Sequence, residues 1–230
     1  MPFRLGGKGP AAAVDADAIV ARFLAALPPD HGAIRAGAGL WKAADTKQLL
    51  GQDDRVFTAL LRVVQTSHGG GILRFFLPAT KPSLVEWNGQ YGWHGSWPSK
   101  PNSIAIASDW LGNLILLDPN RARSGQRRVA LLDLATGAYD LCGDLAEFVD
   151  SLPDNWERLL FKRRFDKYLA AGGKRPNITE CVDYAIAPLV GGGKENLRKM
   201  KVSGLEDAVS RAGHQRDKYG AIPPGLRPPG

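Results

Sequence analysis

Ile19, Phe23 and Leu27 recur at every fourth position, which places them on one face of a helix over "VDADAIVARFLAAL". Asp15 or Asp17 can cap that helix, and Pro28-Pro29 ends it. A Gly/Ala-rich linker, "HGAIRAGAGL", follows. Helical spacing returns in "DDRVFTALLRVV", where Phe57, Leu60, Leu61 and Val64 share a face and Asp53 or Asp54 starts the helix. "SHGGG" breaks it. The pattern then changes to short strands: "GILRFFL", "SIAIAS", "NLILLD", "RRVALLDL" and "AYDLC". The continuous run "LILL" predicts a strand covered on both faces, and "DLATGAYDL" predicts a hairpin turning at its glycine. Between the first two strands, Ser83 to Trp87 can form one short helix before an aromatic-rich loop.

Helical spacing resumes in "DLAEFVDSL", capped by Asp144, and in "NWERLLFKRRFDKYLAA", which "GGK" terminates. A short strand at "CVDYAIAPLVGGGKENL" leads into a glycine turn, "LEDAVSRAGHQRDKY" is a last helix, and "GAIPPGLRPPG" is a loose tail. Helices, then consecutive strands, then helices predict an α+β fold. Its core is a mainly antiparallel central sheet of about five to six strands, flanked by N-terminal and C-terminal helices. The expected organisation is a helical segment and linker over 1–52, an α+β domain over 53–220 and a proline-rich tail over 221–230.

Charge adds a direction to this picture. The chain of 230 residues carries a formal net charge of +7. From Phe161 onward there are 14 Lys and Arg against 7 Asp and Glu, whereas residues 101–160 hold 5 against 9. A basic end can meet nucleic acid or an acidic protein. In "FKRRFDKYL", however, Leu160, Phe161, Phe165 and Leu169 fall at helical spacing, so the intervening charges read first as a solvated helix face. No apolar run is long enough to cross a bilayer, and Asp15 and Asp17 come too early for a signal peptide, so a cytoplasmic protein with no membrane partner is expected.

Candidate chemistry is sparse. Cys142 and Cys181 are too few for a zinc site or disulfide framework, and the four histidines are scattered, so neither metal nor cofactor is expected. "VGGGKEN" lacks the leading glycine and the Ser or Thr of a phosphate loop. "SHGGG" has the look of an oxyanion-hole stretch, but no Gly-x-Ser-x-Gly elbow accompanies it. Asp53-Asp54 and Glu206-Asp207 lie at helix starts, where they favour the dipole. Trp87, Trp93, Trp97 and Trp110 crowd one stretch. Aromatics just before a sheet are more often its lid, with Trp93 and Trp97, in the glycine-rich part, the best candidates for exposure. No set of residues amounts to a catalytic centre.

Three segments in order carry a resemblance: "GGGILRFFLPATKPSLVEWN", then "IAIASDWLGNLILLDP" with "VALLDLATGAYDLCGDLAEFVDSL", then "ECVDYAIAPLVGGGKENLRKMKVSGLEDAVSRAGHQ". Together, over roughly 53–215, they resemble the cytoplasmic immunity proteins of bacterial type VI secretion toxins that carry a GAD-like segment and an immunity C-terminal domain, near the SUKH immunity superfamily. The resemblance implies no catalysis but inhibition by tight binding of one cognate toxin, with Gly112 and Gly191 to Gly193 as turn positions. The basic balance suits a toxin with an acidic contact surface. Expected contacts are the aromatic loop with Trp93, His94 and Trp97, and the basic loop "PNRARSGQRR" with Arg121, Arg123, Arg127 and Arg128. The alternative is a nucleic-acid-binding module using "FKRRFDKY". A third, weaker reading is an enzyme acting through His68 or the "GGGK" turn.

Overall fold

The computed structural model describes residues 15–34, 41–78, 80–89, 92–97, 102–184 and 200–219. The elements run α1 (Ala16–Ala26), α2 (Ala43–Leu50), α3 (Arg55–Val63), β1 (Ser67–His68), β2 (Leu73–Phe75) and α4 (Leu84–Trp87). A 3-10 turn at Trp93–Gly95 precedes β3 (Ile104–Asp109), β4 (Leu114–Arg121), β5 (Arg127–Leu132) and β6 (Tyr139–Asp144). Then come α5 (Leu145–Leu159), α6 (Lys162–Ala170), β7 (Glu180–Tyr184), β8 (Met200–Gly204) and α7 (Leu205–Tyr219). Strands β1 to β6 form one antiparallel sheet in sequence order, and β7 pairs with β8 in a small second sheet. The fold is therefore α+β with helices before and after the strands, as the periodicity predicts.

Local chemistry accounts for the element starts. Asp15, Asp54, Ser83 and Asp144 each accept a backbone N–H from the first turn of α1, α3, α4 and α5, satisfying donors that a helix start leaves open. In α4 and α5 the third residue, Glu86 or Glu147, reaches back to the cap amide. Strand β4 lies inside the sheet, and Leu114 to Asp118 are all buried while Pro119 to Arg121 are exposed. The run "LILL" is thus covered on both faces. One buried cluster extends from Val20, Phe23 and Leu27 of α1 through β3 and β4 to Ala208 and Val209 of α7.

Helix α2 carries no apolar periodicity that the sequence makes visible, and it forms through polar contacts. The Lys42 amide donates to Asp45 at 2.7 Å, and Gly51 closes the helix in a left-handed conformation. A buried chain then ties it to α3: Trp41 Nε1 donates to Thr46 Oγ1, which bonds Thr58 Oγ1, which donates to the Asp54 carbonyl. The pair α5 and α6 also departs from the pattern. Pro153 sits inside α5 without ending it, and the break falls at Leu160 and Phe161. Phe161 holds φ 53°, a left-handed conformation that redirects the chain into α6.

Candidate functional site

The stretch "SDWLGN" forms the β3–β4 turn, and it is built around buried charge. Asp109 accepts from the amides of Leu111 and Asn113 and from Asn113 Nδ2, at 2.8 to 3.0 Å. Burial pushes its carboxyl up to about 7, against these donors and the nearby Arg74 cation, which favour the charged form. Arg74, on β2, is 1% exposed. Its guanidinium donates to the carbonyls of Asn177, Glu180 and Asp109, joining the main sheet to the segment that leads into β7. Gly112 turns the chain at φ 83°, and a Cβ there would lie 3.0 Å from Cys181 Sγ. Trp110 is fully buried, donates to the Leu160 carbonyl at 3.0 Å and packs on Phe165 and Tyr168 of α6. This turn is a structural junction between the sheet, α6 and β7.

"SHGGG" forms β1 and the turn into β2, with Gly69, Gly70 and Gly71 all at positive φ. The amides of Gly70 and Gly71, the pair an oxyanion hole would offer, both donate to the Asp30 carboxylate, at 2.5 and 2.7 Å. The Ser67 hydroxyl donates to the same carboxylate. His68 is completely buried, with Nδ1 against the Leu27 carbonyl at 2.8 Å and Nε2 accepting from the Gln65 amide at 3.1 Å. Those partners select the neutral Nδ1–H tautomer. Burial, the largest influence, lowers its pKa. The folded state therefore binds fewer protons at this site than the unfolded chain, so its stabilising share is complete above the ordinary pKa of 6.5 and is lost as pH falls. His68→Gln is expected to lose less urea resistance than the parent between pH 7.5 and pH 5. Asp109 contributes equally to both proteins and cancels in that comparison. Equal losses would show that His68 does not titrate in this window.

The tryptophans of the aromatic loop do not face solvent. Trp93 and Trp97 are each 1% exposed, which corrects the expectation that they face solvent. Asn88, which itself bonds both backbone groups of Ala105, accepts from Trp93 Nε1 at 3.0 Å. Trp97 Nε1 donates to the Val209 carbonyl on α7, and the Arg216 guanidinium lies 5.3 Å from its ring. Gly213 lets α7 approach this loop, because a Cβ there would sit 2.1 Å from the Ser96 carbonyl oxygen. His94 is half-buried, packs on Trp93 with ring centroids 4.3 Å apart and meets the Ser103 carbonyl through Nε2 at 2.7 Å. The glycines here permit close packing against α4 and α7.

The basic loop divides in two. Arg127 donates to the carbonyls of Leu50 and Asn102, and Arg128 to that of Cys142; both are half-buried and hold the hairpin to its neighbours. Arg121 and Arg123 stand exposed at the tip of the β4–β5 hairpin. Arg121 reaches the Gly125 carbonyl of its own turn at 3.3 Å, and Arg123 makes no hydrogen bond or ion pair among the described residues. The tip is set by a register shift between Asp118 and Arg121, where Pro119 has no N–H for the ladder. Asp118, buried at the base, accepts from the Asn120 amide and the Tyr139 hydroxyl. A cationic tip on an anchored strand pair is the geometry for presenting charge to a partner.

The remaining candidates are absorbed by the fold or fall outside the described residues. On α6, Phe165 and Tyr168 are buried, Lys162 pairs with Asp166 at 2.5 Å, and the Arg164 guanidinium lies 5.3 Å from the Tyr184 ring. Arg163 and Lys167 remain exposed. Both cysteines are buried free thiols, pushed up by burial to about 11 for Cys142 and about 12 for Cys181, so neither is a thiolate at neutral pH. Among the described residues no group of three His, Cys, Asp or Glu could hold a metal ion, and no helix is long and apolar enough to cross a membrane. The turn "VGGGKEN", with Gly191 to Gly193, and the tail 221–230 lie outside the described residues.

No protein-family model matches the chain, and no curated protein matches it. Among solved structures it is similar to Atu4351 from Agrobacterium tumefaciens, with 12% sequence identity and a TM-score of 0.56. That likeness covers 84% of this chain and 87% of the other. At such identity the likeness shows a shared fold and nothing finer.

Proposed function

We propose that this protein is a cytoplasmic, non-enzymatic immunity protein that binds and neutralises a cognate bacterial toxin delivered by type VI secretion. The ordered GAD-like and immunity-domain motifs motivate this reading. The observation that carries its mechanism is the β4–β5 hairpin, which holds Arg121 and Arg123 exposed beyond a buried strand. The contact surface is assigned to that tip, flanked by Arg127 and Arg128, and the toxin surface it meets is acidic. Trp93 and Trp97 are buried against Asn88 and α7 and lie outside this surface.

Co-expression with the toxin encoded by the neighbouring gene tests the reading: rescue of growth and co-purification are expected, and failure of both would overturn it. Steering by the hairpin makes a second prediction. The double variant Arg121→Ala, Arg123→Ala is expected to slow association with the toxin by about tenfold at low ionic strength, with less effect at high salt. Unchanged stopped-flow association rates would remove the hairpin from the interface. The alternative nucleic-acid module rests on the exposed cations of α6, where Arg163 and Lys167 stand beside an internally paired Lys162. It predicts DNA or RNA retardation at low salt that is lost steeply as salt rises.

A further inference from the structure

The turn "SHGGG" already holds an anion. Gly70 and Gly71 donate their amides to the two oxygens of the Asp30 carboxylate, at 2.5 Å to Oδ1 and 2.7 Å to Oδ2, and the Ser67 hydroxyl also donates to Oδ2. Gly69, Gly70 and Gly71 hold φ 64°, 79° and 89°, a run of left-handed backbone that glycine adopts without strain. Successive amides in such a turn form a concave nest for an anion. No cation forms an ion pair with Asp30 among the described residues. The carboxylate is therefore held by directed N–H and O–H groups, which select its planar, two-oxygen shape as well as its charge. Arg175 strengthens one of these donors. Its Nη1 donates to the Gly70 carbonyl at 3.0 Å, and that carbonyl shares a peptide group with the Gly71 N–H.

The backbone around Asp30 is tied down independently of its side chain. The Asp30 amide donates to the Ser67 carbonyl at 3.0 Å, its carbonyl accepts from the Ala33 amide at 3.1 Å, and Pro29 bridges His68. Removing the side chain thus leaves three donors facing a space the size of one carboxylate. Asp30, Ser67 and Gly70 are half-buried, so an ion can reach that space from solvent. We propose that the turn from Ser67 to Gly71 is a carboxylate-binding site whose resident ligand is the chain's own Asp30, and that it takes a small free monocarboxylate when that side chain is removed. In the wild type the tethered ligand is present at high effective concentration and keeps free carboxylates out. No residue of the Arg121 and Arg123 hairpin takes part, so the site stands or falls independently of the toxin contact.

Two variants of the full chain, Asp30→Ala and Asp30→Gly, test the site by shape. Each is titrated with sodium formate, acetate and chloride at equal ionic strength, reading the melting temperature and the ¹⁵N-edited amide resonances of Gly70 and Gly71. Alanine keeps Cβ, so formate fits beside it while the acetate methyl collides with it. Glycine lacks Cβ, so the acetate methyl takes its place. Formate is therefore expected to raise the melting temperature of Asp30→Ala saturably, to move both glycine resonances and to bind about tenfold tighter than acetate, and the order reverses in Asp30→Gly. Adding Ser67→Ala to Asp30→Ala removes one donor to a charged group and should weaken formate by about tenfold. Wild-type resonances should not respond. If Asp30→Ala is unfolded alone, refolding in formate and not in chloride supports the site. No gain from formate or acetate over chloride in either variant, folded or not, would overturn the proposal. So would glycine resonances that ignore formate, or formate binding indifferent to Ser67→Ala.

Discussion

Replacing Arg74 by methionine is expected to cost about 3–5 kcal/mol of stability, more than the lost volume can explain. The side chain is a buried cation whose guanidinium serves three backbone carbonyls, those of Asn177, Glu180 and Asp109, from two separate parts of the chain. Methionine fills similar space but leaves those carbonyls without their donor and the Asp109 carboxylate without its cation. The loss is also expected to depend on pH. Burial already raises Asp109 to about 7, and the Arg74 charge is one of the influences that lower it. Without Arg74 the carboxyl rises further, so the folded state is penalised more as pH climbs and the carboxylate must ionise. Urea unfolding of Arg74→Met should therefore show a larger deficit at pH 8 than at pH 5.5. A deficit below about 1 kcal/mol at both values would show that the guanidinium adds nothing beyond packing.

Trp110→Ala carries a comparable expected loss, about 3–5 kcal/mol, through a different cause. The indole is 0% exposed, packs at 5.0 Å on Phe165 and 5.6 Å on Tyr168, and donates to the Leu160 carbonyl at the α5–α6 break. Alanine leaves a cavity between the turn and α6 that the flanking helix cannot collapse into without losing its place on the sheet. For a chain of this length the melting temperature should fall by about 10 °C. Trp110→Phe retains ring packing and gives up the donor to Leu160, so about 1–2 kcal/mol is expected. Calorimetry on the two variants separates packing from hydrogen bonding. If alanine and phenylalanine cost the same, the indole N–H rather than the ring anchors α6.

Much of the fold was legible because it depends on short-range patterns. The apolar period of "VARFLAAL" and "VFTALLRVV", the run "LILL", and the caps Asp15, Asp54, Ser83 and Asp144 all act within a few residues of where they are read. The missed elements lack such a signature. Helix α2 is held by a relay through Thr46 and Thr58, and β1 and β8 are short strands that exist only because a partner strand is present. The sequence divides two helices between Leu152 and Asn155, yet Pro153 lies within α5, and the break uses a left-handed phenylalanine that no propensity marks.

The candidate surface divides along the same line. That residues 121–128 are basic is a matter of composition, and so is the crowding of tryptophans near Trp93. Which of these charges meets solvent is not. Arg127 and Arg128 spend their donors on the Leu50, Asn102 and Cys142 carbonyls, groups supplied by α2, by the approach to β3 and by β6. Trp93 and Trp97 sit in a glycine-rich stretch that reads as an open loop, yet Asn88 at the end of α4 and the distant α7 close over them. The amino-acid sequence by itself determined the α+β class, the succession of most strands along the chain and most helix starts, since these follow from periodicity and capping between near neighbours. Only the tertiary structure decided which polar groups are spent internally and which remain for a partner or a ligand. Burial and hydrogen-bond partnership depend on residues far apart in the chain: Arg74 with Asn177, and Trp97 with Val209.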